Sequence, residues 1–186
     1  MEQEFQGKMN DRRGLKKGYI QVYTGTGKGK TTAAIGLAVR AAGCGMKVFI
    51  AQFMKGMNYG ELESLKKLKE NITLKQYGTG CFIRRKPAKK DIEAARQGLA
   101  ECRQIIAGGD YDVVILDEIT VAEYFGLIPV MDIIELLDKK PSHVELVLTG
   151  RKTSRRIIER ADLVTEMREI KHYYSRGIQA REGIEK

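Results

Sequence analysis

Cysteine and histidine are scarce in this chain, and their scarcity removes whole classes of chemistry. The three cysteines, Cys44, Cys81 and Cys102, are odd in number, widely spaced and without a C-x-x-C pair. Neither a disulfide framework nor a thiolate zinc site is indicated. The two histidines, His143 and His172, are too few for a histidine-rich metal cluster or a histidine-centred relay. Any metal is therefore expected to be a hard cation held by oxygen, Mg²⁺ or Mn²⁺. No apolar run approaches the roughly 18 residues of a membrane span. The polar opening MEQEFQGKMNDRRGLKKG also lacks the apolar core of a secretion signal, so the expected location is cytoplasmic.

What is present fits one well-buried domain: 186 residues, 42% hydrophobic and 31% charged. The net charge of +9 allows nucleic acid, an anionic metabolite or a solvated surface. Basic residues bunch at Arg84–Lys90 and at Arg151–Arg160. Neither cluster carries the interleaved aromatics of a single-strand stacking platform, which leaves nucleic acid as the weaker reading.

Residues 1–17 carry mixed charge with little periodicity and are expected to form a mobile arm, with a single domain over 18–186. Strands are expected at Gly18–Tyr23, Lys47–Phe53, Ile72–Tyr77, Tyr111–Leu116 and Val144–Leu148. Helices are expected at Thr31–Ala42, at Glu61–Lys69, through Ile92, Ala95, Leu99, Cys102 and Ile106, and around Val130–Leu137. Strands that are apolar on both sides and alternate with helices predict an α/β fold, a mostly parallel sheet flanked by helices in three layers. The charged stretch from Thr149 to Lys186 yields no firm assignment, and Tyr173 and Tyr174 read as packing residues.

The loop after the first strand, TGTGKGKTT, nearly fits the phosphate-cradling pattern G-x-x-x-x-G-K-[ST], except that Thr24 stands where the first glycine belongs. Gly25, Gly27 and Gly29 permit the dihedrals that turn backbone amides inward. Thr26, Lys28 and Thr32 are expected to bind the nucleotide with them, Lys30 is placed to reach terminal phosphates, and Thr31 offers a hydroxyl to a metal ion. The companion carboxylate of such a site ends a buried strand, and VVILDE supplies Asp117 and Glu118. Strand alternation would send these two to opposite faces, so only one is expected to face the nucleotide.

Together these motifs resemble the corrinoid adenosyltransferases that carry a phosphate loop, also called cob(I)alamin or cob(I)yrinic acid a,c-diamide adenosyltransferases. The resemblance spans about residues 18–186 and rests on T-G-x-G-K-G-K-T-T-A from Thr24, AQFMKG at Ala51–Gly56, LDE at Leu116–Glu118 and LTGR at Leu148–Arg151. ADLVTEMREIKH at Ala161–His172 and the ending GIQAREGIE complete it. It implies a phosphate-loop NTPase-like fold of the recombinase type, and transfer of the 5′-deoxyadenosyl group of ATP to the cobalt(I) of a corrinoid, with triphosphate released. By matching position it places Thr31 and Glu118 on the metal, Arg40 and Arg151 near ATP, and Lys30 on the phosphates. It further implies a homodimer and a reductase that supplies cobalt(I). One loop departs from the family: where better-known members read G-F-T-W, this chain has Gly80-Cys81-Phe82-Ile83. The apolar wall beneath the corrinoid then falls to Phe82 or Ile83, with Cys81 a small packing residue or a soft cobalt ligand. A nucleoside kinase-like phosphotransferase, using Asp117 or Glu118 as base, is the alternative from another reaction class.

Overall fold

Strands that are apolar on both sides need cover on both sides, and the chain supplies it. The structure is a computed structural model and describes residues 14–57, 59–78, 80 and 87–185. Its elements run β1 (Ile20–Thr24), α1 (Lys30–Gly43), β2 (Val48–Phe53), α2 (Gly60–Lys66), β3 (Ile72–Tyr77), α3 (Lys89–Gly108) and β4 (Val113–Asp117). There follow α4 (Ile119–Tyr124), α5 (Val130–Asp138), β5 (Glu145–Thr149), α6 (Arg155–Ile158), β6 (Leu163–Glu166) and a 3₁₀ turn at Tyr173–Arg176. The six strands form one sheet in the order β3-β2-β4-β5-β1-β6. Every pairing is parallel. The expected α/β class holds, and the expected elements appear with ends shifted by a few residues. The additions are α4, α6, β6 and the 3₁₀ turn, three of them in the stretch that composition left unassigned.

The core divides along the pleat. Val48, Ile50, Val113, Ile115 and Val147 pack with Ala34, Ala38 and Ala41 of α1 and Leu65 of α2. Phe49, Ala51, Phe53, Val114, Leu116, Leu146 and Leu148 face the other way, against Ala95, Leu99, Cys102 and Ile106 of α3 and Ile133 and Ile134 of α5. Burial pushes the Cys102 thiol up to about 12, so this cysteine packs as a small apolar residue. The alanine stripe lets α1 lie close to the sheet. At the N-terminus of α3, the Asp91 carboxylate accepts the Ala88 amide at 3.0 Å and caps the helix.

Period-two alternation then decides which side chains meet at the carboxyl ends of the strands. Asp117 continues the series Val113, Ile115; Gln52 continues Val48, Ile50; Thr149 continues Val147. All three therefore emerge on the α1 face, beside the first turn of that helix.

Candidate functional site

The loop from β1 to α1 is shaped by left-handed glycines, Gly25 at φ 98° and Gly29 at φ 114°, conformations that side chains disfavour. Thr24, at the place of the expected first glycine, has its own use: its hydroxyl accepts that of Thr153 at 2.9 Å, tying this loop to the one after β5. The segment after β6 runs along the loop's outer side. The Met167 amide donates to Thr24 O at 2.9 Å, and the Gly27 amide donates to Met167 O at 2.7 Å. A methyl on Gly27 would lie 2.8 Å from that same Met167 oxygen, so the close approach requires glycine. An open groove of about 350 Å³ lies here, lined by Gly27, Lys28 and the run Arg168–Tyr173.

Lys30 is buried, with its ammonium donating to Gly25 O at 2.8 Å and Gly27 O at 2.7 Å. Burial lowers its pKa, and Arg151 lowers it further, against the pull of Glu118 and Asp117. One residue on, the Thr31 hydroxyl donates to Asp117 Oδ1 at 2.8 Å, across 86 residues of sequence. Asp117 is buried and fully engaged. Its Oδ1 also accepts the Thr149 hydroxyl at 2.7 Å, while Oδ2 accepts Lys55 Nζ at 2.9 Å and Gln52 Nε2 at 3.5 Å. Behind it, Gln52 Nε2 reaches Glu61 Oε1 at 3.2 Å, and Gln76 Nε2 reaches Gln52 Oε1 at 3.0 Å.

Glu118 corrects one expectation. Alternation would send it to the opposite face from Asp117, but β4 ends at Asp117 and Glu118 takes a left-handed conformation, φ 60° and ψ 17°. The turn brings it back among the same charges. Its pKa is raised, first by burial and next by Asp117, while Lys55, Lys30 and Arg151 oppose the rise. Its amide donates to Thr149 Oγ1 at 3.0 Å, so one threonine braces both acidic residues.

Of the residues singled out from sequence, the structure gathers Gly25, Gly27, Gly29, Lys30, Thr31, Asp117, Glu118 and Arg151. Thr26, Lys28 and Thr32 stand on the exposed rim of the loop and first helical turn. Arg40 is not gathered. It lies in the exposed last turn of α1, and at about 1.5 Å of rise per residue that is some 14 Å beyond the loop. Cys81, Phe82 and Ile83, like residues 1–13 of the expected arm, lie outside the described residues. Tyr174 is no packing residue at 65% exposure, and Tyr173 lines the groove with its hydroxyl on Glu185. Sequence reasoning assigned no role to Thr149, Lys55 or Met167. Each stands inside a motif already noted, and strand alternation from Val147 would have found Thr149.

The arrangement offers amides and an ammonium to an anion, and a hydroxyl with two carboxylates to a hard cation. Residues 16–185 match the family model described as ATP:corrinoid adenosyltransferase BtuR/CobO/CobP. The chain belongs to that family. The corrinoid adenosyltransferase of Escherichia coli (strain K12) is 35% identical over 171 residues, covering 91% of this chain and 86% of the relative. That of Pseudomonas aeruginosa is 33% identical over 91% of this chain and 84% of its own. The corrinoid adenosyltransferase CobA of Salmonella typhimurium is 34% identical over 91% and 86%. As an adenosyltransferase of this family, the chain uses ATP to adenosylate a corrinoid. The parallel sheet and its helices agree with a phosphate-loop NTPase-like domain.

Proposed function

We propose that the β1–α1 loop holds the triphosphate of ATP while the cobalt(I) of a corrinoid attacks the 5′ carbon. The cobalt–carbon bond forms with the electron pair of cobalt(I), which becomes cobalt(III), and the C5′–O bond breaks with its pair leaving on intact triphosphate. Such a nucleophile needs no activated serine or cysteine, and the buried cluster contains none. The protein's work is positioning and charge stabilisation. Lys30 is the main contributor: its ammonium, now on two loop carbonyls, turns to the phosphate oxygens as negative charge grows there. Loop amides and Arg151 add to it.

The observation that carries this reading is the convergence of Lys30, Thr31 and Asp117 at the head of α1, with Thr31 Oγ1 and Asp117 Oδ1 2.8 Å apart. The same donors suit Mg²⁺ or Mn²⁺. Among the described residues no group of three or more His, Cys, Asp or Glu side chains forms a metal cage, which fits an ion held by one or two protein oxygens together with phosphate and water. Thr31 and Glu118 would hold it directly, with Asp117 behind Thr31; when bound it neutralises the leaving triphosphate. Phe82 or Ile83 would form the wall beneath the corrinoid, with Cys81 beside them. A homodimer, a separate reductase for cobalt and a cytoplasmic setting complete the reading. Among the described residues no helix is long and apolar enough to cross a membrane.

The deciding experiment mixes the chain with ATP, Mg²⁺ and chemically reduced cobalamin, without oxygen, and repeats this with a precursor corrinoid. A light-sensitive alkylcobalt spectrum appearing together with triphosphate is expected. ADP formed in the presence of a nucleoside acceptor, with no spectral change, would instead mark a phosphotransferase.

A further inference from the structure

Lys55 has no part in the reaction just described, yet its position is closely fixed. Met54, the residue before it, sits at φ 57°, a left-handed conformation uncommon outside glycine. The Met54 amide donates to Tyr77 O at 3.0 Å. Beside it two glycines meet backbone to backbone: a methyl on Gly56 would lie 2.7 Å from Gly78 O, and one on Gly78 would lie 2.7 Å from Lys55 N. The turn after β2 is thus clamped to the end of β3, and Lys55 is aimed inward. Its ammonium stands 2.9 Å from Asp117 Oδ2 and 3.7 Å from Glu61 Oε1, with the Tyr59 ring centroid 5.3 Å away. The two partners are well shielded, at 17% side-chain exposure for Lys55 and 2% for Asp117.

Two consequences follow from charge and valence. The acidic groups of Asp117, Glu118 and Glu61 stand among the basic groups of Lys30, Lys55 and Arg151, so each carboxyl already has a cation beside it. Asp117 has both oxygens committed, and the hydroxyl of Thr31 is spent on one of them. A divalent cation arriving alone at Thr31 and Glu118 must therefore draw the Thr31 hydroxyl off Asp117 and sit beside the Lys30 and Lys55 ammoniums, whose charge already compensates these carboxylates. A cation arriving on ATP brings phosphate oxygens that can receive Lys30 and Lys55.

We propose that Lys55 is a positioning residue that keeps Asp117 compensated until the nucleotide arrives, so that the divalent cation enters with ATP and not before it. The inference rests on the metal-site reading given above, and the test separates the two. Mn²⁺ is titrated into the full-length chain, with and without ATP; free ion is followed by electron paramagnetic resonance and the protein-bound ion by water-proton relaxation. Wild type should hold Mn²⁺ weakly alone and firmly with ATP. Lys55→Met should hold Mn²⁺ alone at least tenfold more tightly, Lys55→Arg should behave as wild type, and adding Asp117→Asn to Lys55→Met should erase the gain. Should Lys55→Met not fold, Lys55→Gln, which keeps a hydrogen bond to Asp117 without the charge, is expected to show the same gain. Unchanged Mn²⁺ affinity in folded Lys55 variants, with ATP-dependent Mn²⁺ retention intact in wild type, overturns the role of Lys55 and leaves the metal site standing. Absence of any protein-bound Mn²⁺ in wild type with ATP overturns the metal site and the inference together.

Discussion

At the residue scale, Lys30 and Glu118 make opposite demands on the same small volume. The Lys30 ammonium rests on Gly25 O and Gly27 O, so Lys30→Ala removes a charge aimed at the leaving group and little of the fold. Loss of one such preorganised donor costs about 10²–10³-fold in kcat, and single-turnover adenosylation should fall by that factor while the melting curve stays near wild type. For Glu118 the sign follows from burial. Its pKa is raised, with Asp117 adding to the effect of desolvation, so the folded chain binds this proton more tightly than the unfolded chain does. Its contribution to folding stability is therefore present at low pH and is lost as pH rises through the folded value. Ligand binding runs the other way, because only the carboxylate holds a cation. Affinity for ATP–Mn²⁺ should fall on acidification, beginning above the ordinary glutamate range and by up to about tenfold per pH unit. Titrations of Glu118→Gln should lose that part of the slope; an unaltered pH profile would remove Glu118 from the metal site.

At the scale of elements, the packing of α3 on β3 depends on a missing side chain. A methyl on Gly98 would stand 2.5 Å from the Tyr77 ring, and that ring also packs on Phe53 at 5.7 Å between centroids. Gly98→Ala must push α3 or the ring aside, and overpacking of this kind costs about 1–3 kcal/mol. Urea melts should show the loss in midpoint with little change in slope. The elements themselves were legible wherever hydrophobic periodicity was strong: the period of α3 and the apolar runs of β2 and β4 can be read directly. Legibility failed where the chain leaves that regularity. Alternation locates Asp117 correctly and then misplaces Glu118, because a left-handed residue is invisible to a period-two rule. The weak periodicity of Leu163–Glu166, exposed along its length, hid an edge strand whose register comes from β1, not from a buried face of its own.

At the scale of the whole molecule, the sheet and the nucleotide site draw on different parts of the chain. Among the described residues, no member of the buried hydrophobic core lies beyond Ile157; beyond it the half-buried Ala161 packs against that core and the Asp162 carboxylate accepts the Ile20 amide at 2.8 Å. β6 closes one edge of the sheet, and the residues after it supply the Met167 contacts to the β1–α1 loop and the wall of the adjoining groove. Two basic residues in this half pair with acids on the surface, Arg155 with Glu159 at 2.7 Å and Arg160 with Asp138 at 2.8 Å. A chain ending at Glu166 should therefore keep its core and lose its ligand. In wild type, ATP–Mg²⁺ at a hundred times its Kd should stabilise the fold by about 2.7 kcal/mol. For a domain of this size that is a rise of about 5–10 °C in Tm. The truncated chain should melt close to ligand-free wild type, because it gives up exposed and half-buried residues outside the core and two loop hydrogen bonds. On adding ATP–Mg²⁺ its Tm should move by less than about 2 °C, since the loop has lost the carbonyl that orients Gly27. A truncated chain that still shows the full ligand-induced rise would mean that the loop holds its shape unaided, and that the segment after β6 serves the corrinoid side of the reaction instead.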